Sequence, residues 1–238
     1  MLPKWQTGIV KEVLQLTENV RHYWIQLPEV TDFHFLPGQF VTFDLPIHAL
    51  RNKRWRSYSI AAMPNGTNVI ELSIAYVQGG LASEYIFNQV SVGSEILLRG
   101  PHGVFLLPEI AERDLFMICT GTGIAPFRSM LQYIAASYPE HRQIHLIFGT
   151  RRRQDILFGD EMKAYESQIP NFHYHPTLSR EQWDGLQGHV HPVYEELCLK
   201  RPAAMFMLCG QKNMIDEAKA RILAMGYHSK DIMVEIYG

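Results

Sequence analysis

The chain has 238 residues, 47% of them hydrophobic, which is enough for one large core or two modest ones and too apolar for a disordered chain. Its formal net charge of −2 gives no global pull toward nucleic acid or an anionic membrane. No apolar run approaches the ~20 residues of a membrane span, so no membrane insertion is expected.

The first third reads as strands. Residues 8–16 and 20–27 alternate apolar and polar side chains around the turn Thr17-Glu18-Asn19. Pro37-Gly38-Gln39 turns the chain into a strand at 40–43, a further strand carries Arg56, and Pro64-Asn65-Gly66 leads into a strand at 69–76. Gly79-Gly80 breaks it, 82–89 reads as a short helix, and 95–99 as a last strand ending at Gly100-Pro101. Short strands separated by turn residues predict a six-stranded, closed antiparallel β-barrel. The boundary is expected in the charged stretch after Pro108, giving domains 1–110 and 111–238.

The second part changes period. The run 115–119 is continuously apolar, as in a strand buried on both faces. Pro126 opens a helical pattern to about Tyr138, with Phe127, Met130, Leu131 and Ile134 on one side. Strands at 144–148, 172–177, 204–208 and 232–237 then alternate with helices that include 190–199 and 213–225. This alternation predicts a doubly wound parallel sheet. Cys119, Cys198 and Cys209 form no CxxC pair and no metal spacing, and they are too few for a four-ligand iron–sulfur cluster. His102, His141, His145, His173, His175, His189 and His191 are scattered, and no metal site is expected. The start Met1-Leu2-Pro3-Lys4-Trp5 does not read as a signal peptide, so a reducing cytoplasm is the expected compartment.

Four constellations carry chemistry. In Arg56-Ser57-Tyr58-Ser59 the pleat puts Arg56 and Tyr58 on one face and Ser57 and Ser59 on the other. A guanidinium and a flat ring side by side suit a planar cofactor that carries a phosphate. Gly79-Gly80-Leu81-Ala82-Ser83 reads either as an anion site at a helix start or as a flexible hairpin loop. Cys119-Thr120-Gly121-Thr122-Gly123-Ile124-Ala125-Pro126 joins the first strand of the α/β half to its helix, and reads either as backbone amides offered to a pyrophosphate or as a tight turn that needs glycine for sterics only, the first being favoured. It lacks the Gly-Lys-Ser/Thr of a Walker loop, which disfavours phosphoryl transfer. Thr150-Arg151-Arg152-Arg153 and Ser179-Arg180 end neighbouring strands, where they suit either a 2′-phosphate clamp or a solvated basic loop.

These motifs, in this order, resemble the ferredoxin–NADP reductase family of flavoproteins. Arg56-Ser57-Tyr58-Ser59 is similar to its flavin motif, and Gly80-Leu81-Ala82-Ser83 to its pyrophosphate turn. The stretch from Thr120 to Ser129 is similar to its nucleotide loop, Leu208-Cys209-Gly210 to its Cys-Gly strand end, and Val234-Glu235-Ile236-Tyr237 to its last strand. The resemblance implies FAD and NADP(H) as cofactors and an FAD barrel followed by an NADP domain. Arg56 would hold FAD phosphates, and Tyr58 would stack on the isoalloxazine. The backbone of Ser73, Ile74 and Ala75 would line the flavin's polar edge. Ser59, Cys209 and Glu235 would surround the hydride path. Thr120, Gly121, Thr122 and Gly123 of the loop, with Thr150, Arg151, Ser179, Arg180, Gly210 and Gln211, would bind the nucleotide, and Tyr237 would cover the flavin. The family's further downstream Lys or Arg is not evident here, with His189 the nearest candidate.

The expected activity is that of an FAD-dependent ferredoxin or flavodoxin–NADP(+) oxidoreductase working as a monomer. Arg51-Asn52-Lys53-Arg54 is either a docking patch for an acidic electron carrier or an ordinary charged loop. The alternatives are a flavin reductase or reductase component of an oxygenase, and an electron-transfer subunit of a larger complex.

Overall fold

The computed structural model describes residues 3–137 and 139–237. The expected helix end at Tyr138, the residues Met1 and Leu2, and Gly238 lie outside the described residues. Two compact units emerge. One holds the described residues through Leu107 together with Ala125–Gln132, and the other holds Pro108–Ile124 with the described residues from Tyr133 onward.

The first unit contains β1 (Gln6–Thr17), β2 (Val20–Gln26), β3 (Phe40–Asp44), β4 (Trp55–Ser59), β5 (Val69–Ala75), α1 (Leu81–Gln89) and β6 (Glu95–His102). The strands form one antiparallel sheet in the order β4-β3-β6-β1-β2-β5. The pleat sends Tyr23, Ile25, Val41, Phe43, Leu72, Ile74 and Leu98 into one core, and polar partners such as His22 and Glu71 to the other face. The two edges of the sheet meet at the bridge Ile60↔Leu72, supported by Ala61 N–H donating to the Glu71 carbonyl at 2.8 Å. Continued, that register would pair Tyr58 with Ile74 and Arg56 with Tyr76. No ladder joins β4 to β5 there among the described residues. The barrel is therefore closed at one end of this seam and open at the other. One expectation needs correction, because β6 does not stop at Gly100-Pro101 but runs on to pair His102 with Phe40. A register shift opposite Val41 accommodates the missing proline N–H, and a Cβ at Gly100 would lie 2.8 Å from Val41 Cγ1.

The second unit contains β7 (Asp114–Thr120), β8 (Ile144–Thr150), α3 (Gly159–Gln168), β9 (Phe172–Leu178), β10 (Leu186–Gln187), α4 (His191–Leu197), β11 (Ala204–Gln211), α5 (Lys212–Ala224) and β12 (Ile232–Tyr237). The helix α2 (Ile124–Ser137) begins at its Thr120–Gly123 turn. All strand pairs are parallel, in the order β10-β9-β8-β7-β11-β12. Phe116, Ile118, Ile147, Phe206 and Leu208 pack against α4 and α5, while Leu115, Met117, Leu146 and Phe148 on the opposite face are equally buried. The two-residue β10 is too short to leave a periodic signal in sequence. Among the described residues no helix is long and apolar enough to cross a membrane.

The strand register also gathers residues that look scattered in sequence. Phe206, Phe116, His145 and His173 stack across four strands at centroid spacings of 5.1, 4.9 and 5.0 Å, and His145 Nδ1 lies 3.1 Å from His175 Nε2. Among the described residues no cluster has the make-up of a metal site. Burial, and then His175 and His173, push the His145 imidazole down from its usual 6.5 to about 4. The unfolded chain therefore binds a proton that the folded chain refuses between those values, and stability falls as pH drops through that window. A loss of about 1.5 kcal/mol between pH 6.5 and 5 is expected. His145→Phe keeps the stack and should flatten the pH dependence of Tm. An equally steep loss in the variant would place the titration elsewhere.

Candidate functional site

On the barrel, Arg56 and Tyr58 share the face of β4 that carries their partners Phe43 and Val41, and the unpaired edge of β4 borders the open seam. Tyr58 is half-buried, with its ring 5.0 Å from Phe43 on one side. Burial pushes its hydroxyl well above the usual value, Arg56 opposes that and Tyr23 adds to it, so the ring stays neutral at any working pH. Arg56 donates to the carbonyls of Lys53 and Trp55 at 3.1 and 2.7 Å, contacts that a phosphate would replace. Across the seam run Ser73, Ile74 and Ala75 of β5, whose other edge is already paired with β2. A planar ring entering the seam would meet Tyr58 on one side and unladdered peptide groups on the other. Ser57 faces the opposite way, exposed, with its hydroxyl 3.1 Å from that of Thr42, and Ser59 is buried at the end of the strand.

Beside the seam, α1 begins with no side chain capping its first amides. The Ser83 hydroxyl closes the turn itself, accepting from Val77 N–H at 3.0 Å and donating to the Val77 carbonyl at 2.9 Å. A Cβ at Gly80 would lie 2.9 Å from Ser83 Oγ. The amides of Leu81, Ala82 and Ser83, rather than a side chain, are what this turn offers an anion. The residues present therefore fit an FAD: an aromatic platform, a guanidinium, and a helix start without a cap.

In the second unit, the 3-10 turn Gly121–Gly123 leads into α2, whose first turn carries no acidic residue. A Cβ at Gly123 would sit 2.4 Å from the Cys209 carbonyl, and one at Gly210 would sit 2.6 Å from Thr120 Oγ1. Only hydrogen fits at these two positions, so the ends of β7 and β11 close onto each other. Thr120 Oγ1 is buried there without a partner among the described residues, a hydroxyl that a nucleotide would satisfy. Strand pairing sets Cys209 beside both Cys119 and Glu235, and Gln211 beside Tyr237. Burial, then Glu235 and Cys119, push the Cys209 thiol well above its usual value, against a hydrogen bond with Tyr237. It is an uncharged thiol, suited to packing against a ring rather than to nucleophilic attack.

The ladder between β8 and β9 continues past both strands. Ser179 N–H and Oγ donate to the Thr150 carbonyl at 3.0 and 3.2 Å, and Arg180 N–H donates to the Arg151 carbonyl at 3.0 Å. Arg151 and Arg180 thus emerge side by side and exposed. Arg153 is already engaged: its guanidinium binds Asp184 at 2.9 Å and lies 5.5 Å over Trp183, and its N–H donates to Glu181. The basic patch before β4 is also partly satisfied from within, since Arg51 and Arg54 reach the buried Asp44 at 3.2 and 2.7 Å. Sequence reasoning missed both engagements, because the acids lie many positions away.

The comparisons with known proteins agree with this layout. A family model described as an oxidoreductase FAD-binding domain matches residues 7–106, and one described as an oxidoreductase NAD-binding domain matches residues 117–220. The chain is 34% identical to the anthranilate 1,2-dioxygenase electron transfer component of Acinetobacter baylyi over 80% of its own length, and spans about half of that relative, 54%. It is 33% identical to ferredoxin–NADP reductase B of Sorangium cellulosum, with 94% of each chain covered. A solved structure of a ferredoxin NADP+ reductase from Neisseria gonorrhoeae with bound FAD and NADP superposes with a TM-score of 0.80 at 26% identity, covering 98% of each chain. With both cofactor domains matched in order and a relative aligned along nearly its whole length, the chain belongs to the ferredoxin–NADP reductase-like family of flavoprotein oxidoreductases.

Proposed function

We propose that this oxidoreductase takes a hydride from NADPH onto FAD and passes the electrons singly to a ferredoxin or flavodoxin, or runs the same steps in reverse. The observation that carries this reading is the pairing of Ser179-Arg180 with Thr150-Arg151, which sets two exposed guanidinia at neighbouring strand ends. Such a pair suits a 2′-phosphate. FAD supplies a ring that accepts an electron pair and releases it one electron at a time. The chain supplies binding, orientation and exclusion of water. In the domain spanning 1–110, Arg56 and the amides of Gly80, Leu81, Ala82 and Ser83 hold the phosphates, Tyr58 stacks on the ring, and Ser59 lies at its reacting end. In the domain spanning 111–238, Thr120, Gly121, Thr122, Gly123, Thr150, Gly210 and Gln211 cradle the nucleotide. Cys209, Glu235 and Tyr237 border the nicotinamide.

Glu235→Ala is expected to slow hydride transfer about tenfold while leaving FAD content unchanged, since a polar group that orients the ring is lost without disturbing the barrel. Stopped-flow flavin reduction at the wild-type rate would remove Glu235 from the site. The likeness to a dioxygenase electron transfer component favours a second reading, a reductase that serves an oxygenase. Mixing the NADPH-reduced protein with isolated ferredoxin, flavodoxin and oxygenase components separates the two. Fast oxidation by a free carrier supports the first reading, and oxidation by an oxygenase component alone rejects it.

A further inference from the structure

Behind the seam lies a buried polar chain that the proposed activity does not use. His22 on β2 is paired with Ser73 on β5, and its side chain is 2% exposed. Its Nδ1 lies 2.9 Å from Ser73 Oγ, and its Nε2 lies 3.0 Å from Glu71 Oε2. The same carboxylate oxygen accepts from Arg128 Nη1 at 2.7 Å, and Arg128 also donates to the Ala61 carbonyl at 2.8 Å, next to the bridge that closes the barrel. The ring of Trp24 stands edge-on to the imidazole at 4.5 Å. The titratable and charged groups facing His22 in these contacts are thus Glu71 from β5 and Arg128 from α2. Burial raises the Glu71 carboxyl, but hydrogen bonds from His22 and Arg128, together with the Arg128 charge, outweigh that and hold it well below the usual carboxylate range.

The donors can be assigned from chemistry. An ionised carboxylate only accepts, so the Nε2 facing Glu71 carries a hydrogen. In the neutral ring Nδ1 then accepts, and the Ser73 hydroxyl donates to it. A proton arriving at Nδ1 reverses that bond: Nδ1–H donates to Ser73 Oγ, and the hydroxyl hydrogen turns elsewhere. Ser73 belongs to the strip of β5 that borders the open seam. Glu71, whose side chain is 20% exposed, connects the network to water.

We propose that His22 is a positioning residue that takes up one proton from solvent, at Nδ1, when a flavin in the seam is reduced. The inference rests on the seam being the flavin site. Hydride addition to a bound flavin would bring it two electrons and one proton and would leave negative charge on its pyrimidine edge. A cation one hydroxyl behind β5 balances that charge. Atoms and electrons then balance as one hydride to the ring and one further proton from water to the imidazole, with no other group oxidised or reduced.

The test uses the full chain loaded with FAD and poised against a viologen, whose own reduction takes up no proton. The ratio of reduced to oxidised flavin is followed from about pH 5.5 to 8.5, the range where an imidazole changes charge. By linkage, one proton per electron pair shifts the equilibrium tenfold per pH unit, and two protons shift it a hundredfold. Wild type should steepen toward a hundredfold within this range, and His22→Gln, which keeps hydrogen bonding but does not titrate, should stay at tenfold throughout. A wild type that holds FAD and stays at tenfold overturns the proposal and leaves the seam reading standing, with no variant needed. A hundredfold slope in both proteins assigns the proton to another group and also overturns it. Failure of both proteins to retain FAD overturns the seam reading and the proposal together.

Discussion

Tyr58→Ala is expected to raise the dissociation constant for FAD about a hundredfold, whereas Tyr58→Phe should leave it nearly unchanged. The phenol ring borders the open part of the seam, braced from behind by Phe43 at 5.0 Å. Covering one ring face with another removes apolar surface worth about 1.5–2 kcal/mol, and the aromatic contact adds about 1 kcal/mol more. Together these correspond to roughly two orders of magnitude in affinity. The hydroxyl contributes little, because burial keeps it neutral and the ring does the stacking. FAD retained through gel filtration, followed by titration of the apoprotein, measures the effect. Thermal unfolding of the apoproteins separates lost stacking from a loosened core, since Tyr58 also packs on the barrel cluster. Unchanged FAD affinity in a folded Ala variant would move the flavin away from β4.

Arg180→Ala is expected to lower kcat/KM for NADPH about a hundredfold while changing that for NADH by less than about twofold. A charge-assisted bond to a phosphate contributes about 1.5–3 kcal/mol, and it is absent when the ribose carries no phosphate. Arg153→Ala serves as the internal comparison. Its guanidinium is held by Asp184 and Trp183, so its loss should loosen the loop and affect both nucleotides alike. A native preference for NADH that is indifferent to Arg180 would reject the 2′-phosphate clamp.

The local pattern of the sequence was enough for the two architectures. Alternation marked β1 and β2 to within two residues at each end, and the continuous apolar run at 115–119 marked a strand buried on both faces. What the pattern could not supply was register. That Cys209 stands beside Glu235, or that Ser179 donates to Thr150, follows only once parallel strands are aligned. The histidines at 145, 173 and 175 read as scattered because 28 positions separate the first pair, yet a parallel ladder makes His145 and His173 neighbours. The polar chain from Ser73 through His22 and Glu71 to Arg128 was invisible for the same reason: each member alone is an ordinary strand or helix residue. The end of β6 was misjudged because Gly-Pro normally stops a strand, and only the register shift against β3 lets it continue.

The central claim is that the unpaired stretch between β4 and β5 receives the flavin ring. A crystal structure of the chain grown with FAD tests it most directly. The account predicts an isoalloxazine lying against Tyr58 with its pyrimidine edge on the backbone of Ser73, Ile74 and Ala75. Strands β4 and β5 zipped together beyond Ile60 and Leu72, with the flavin bound on another face, would contradict it.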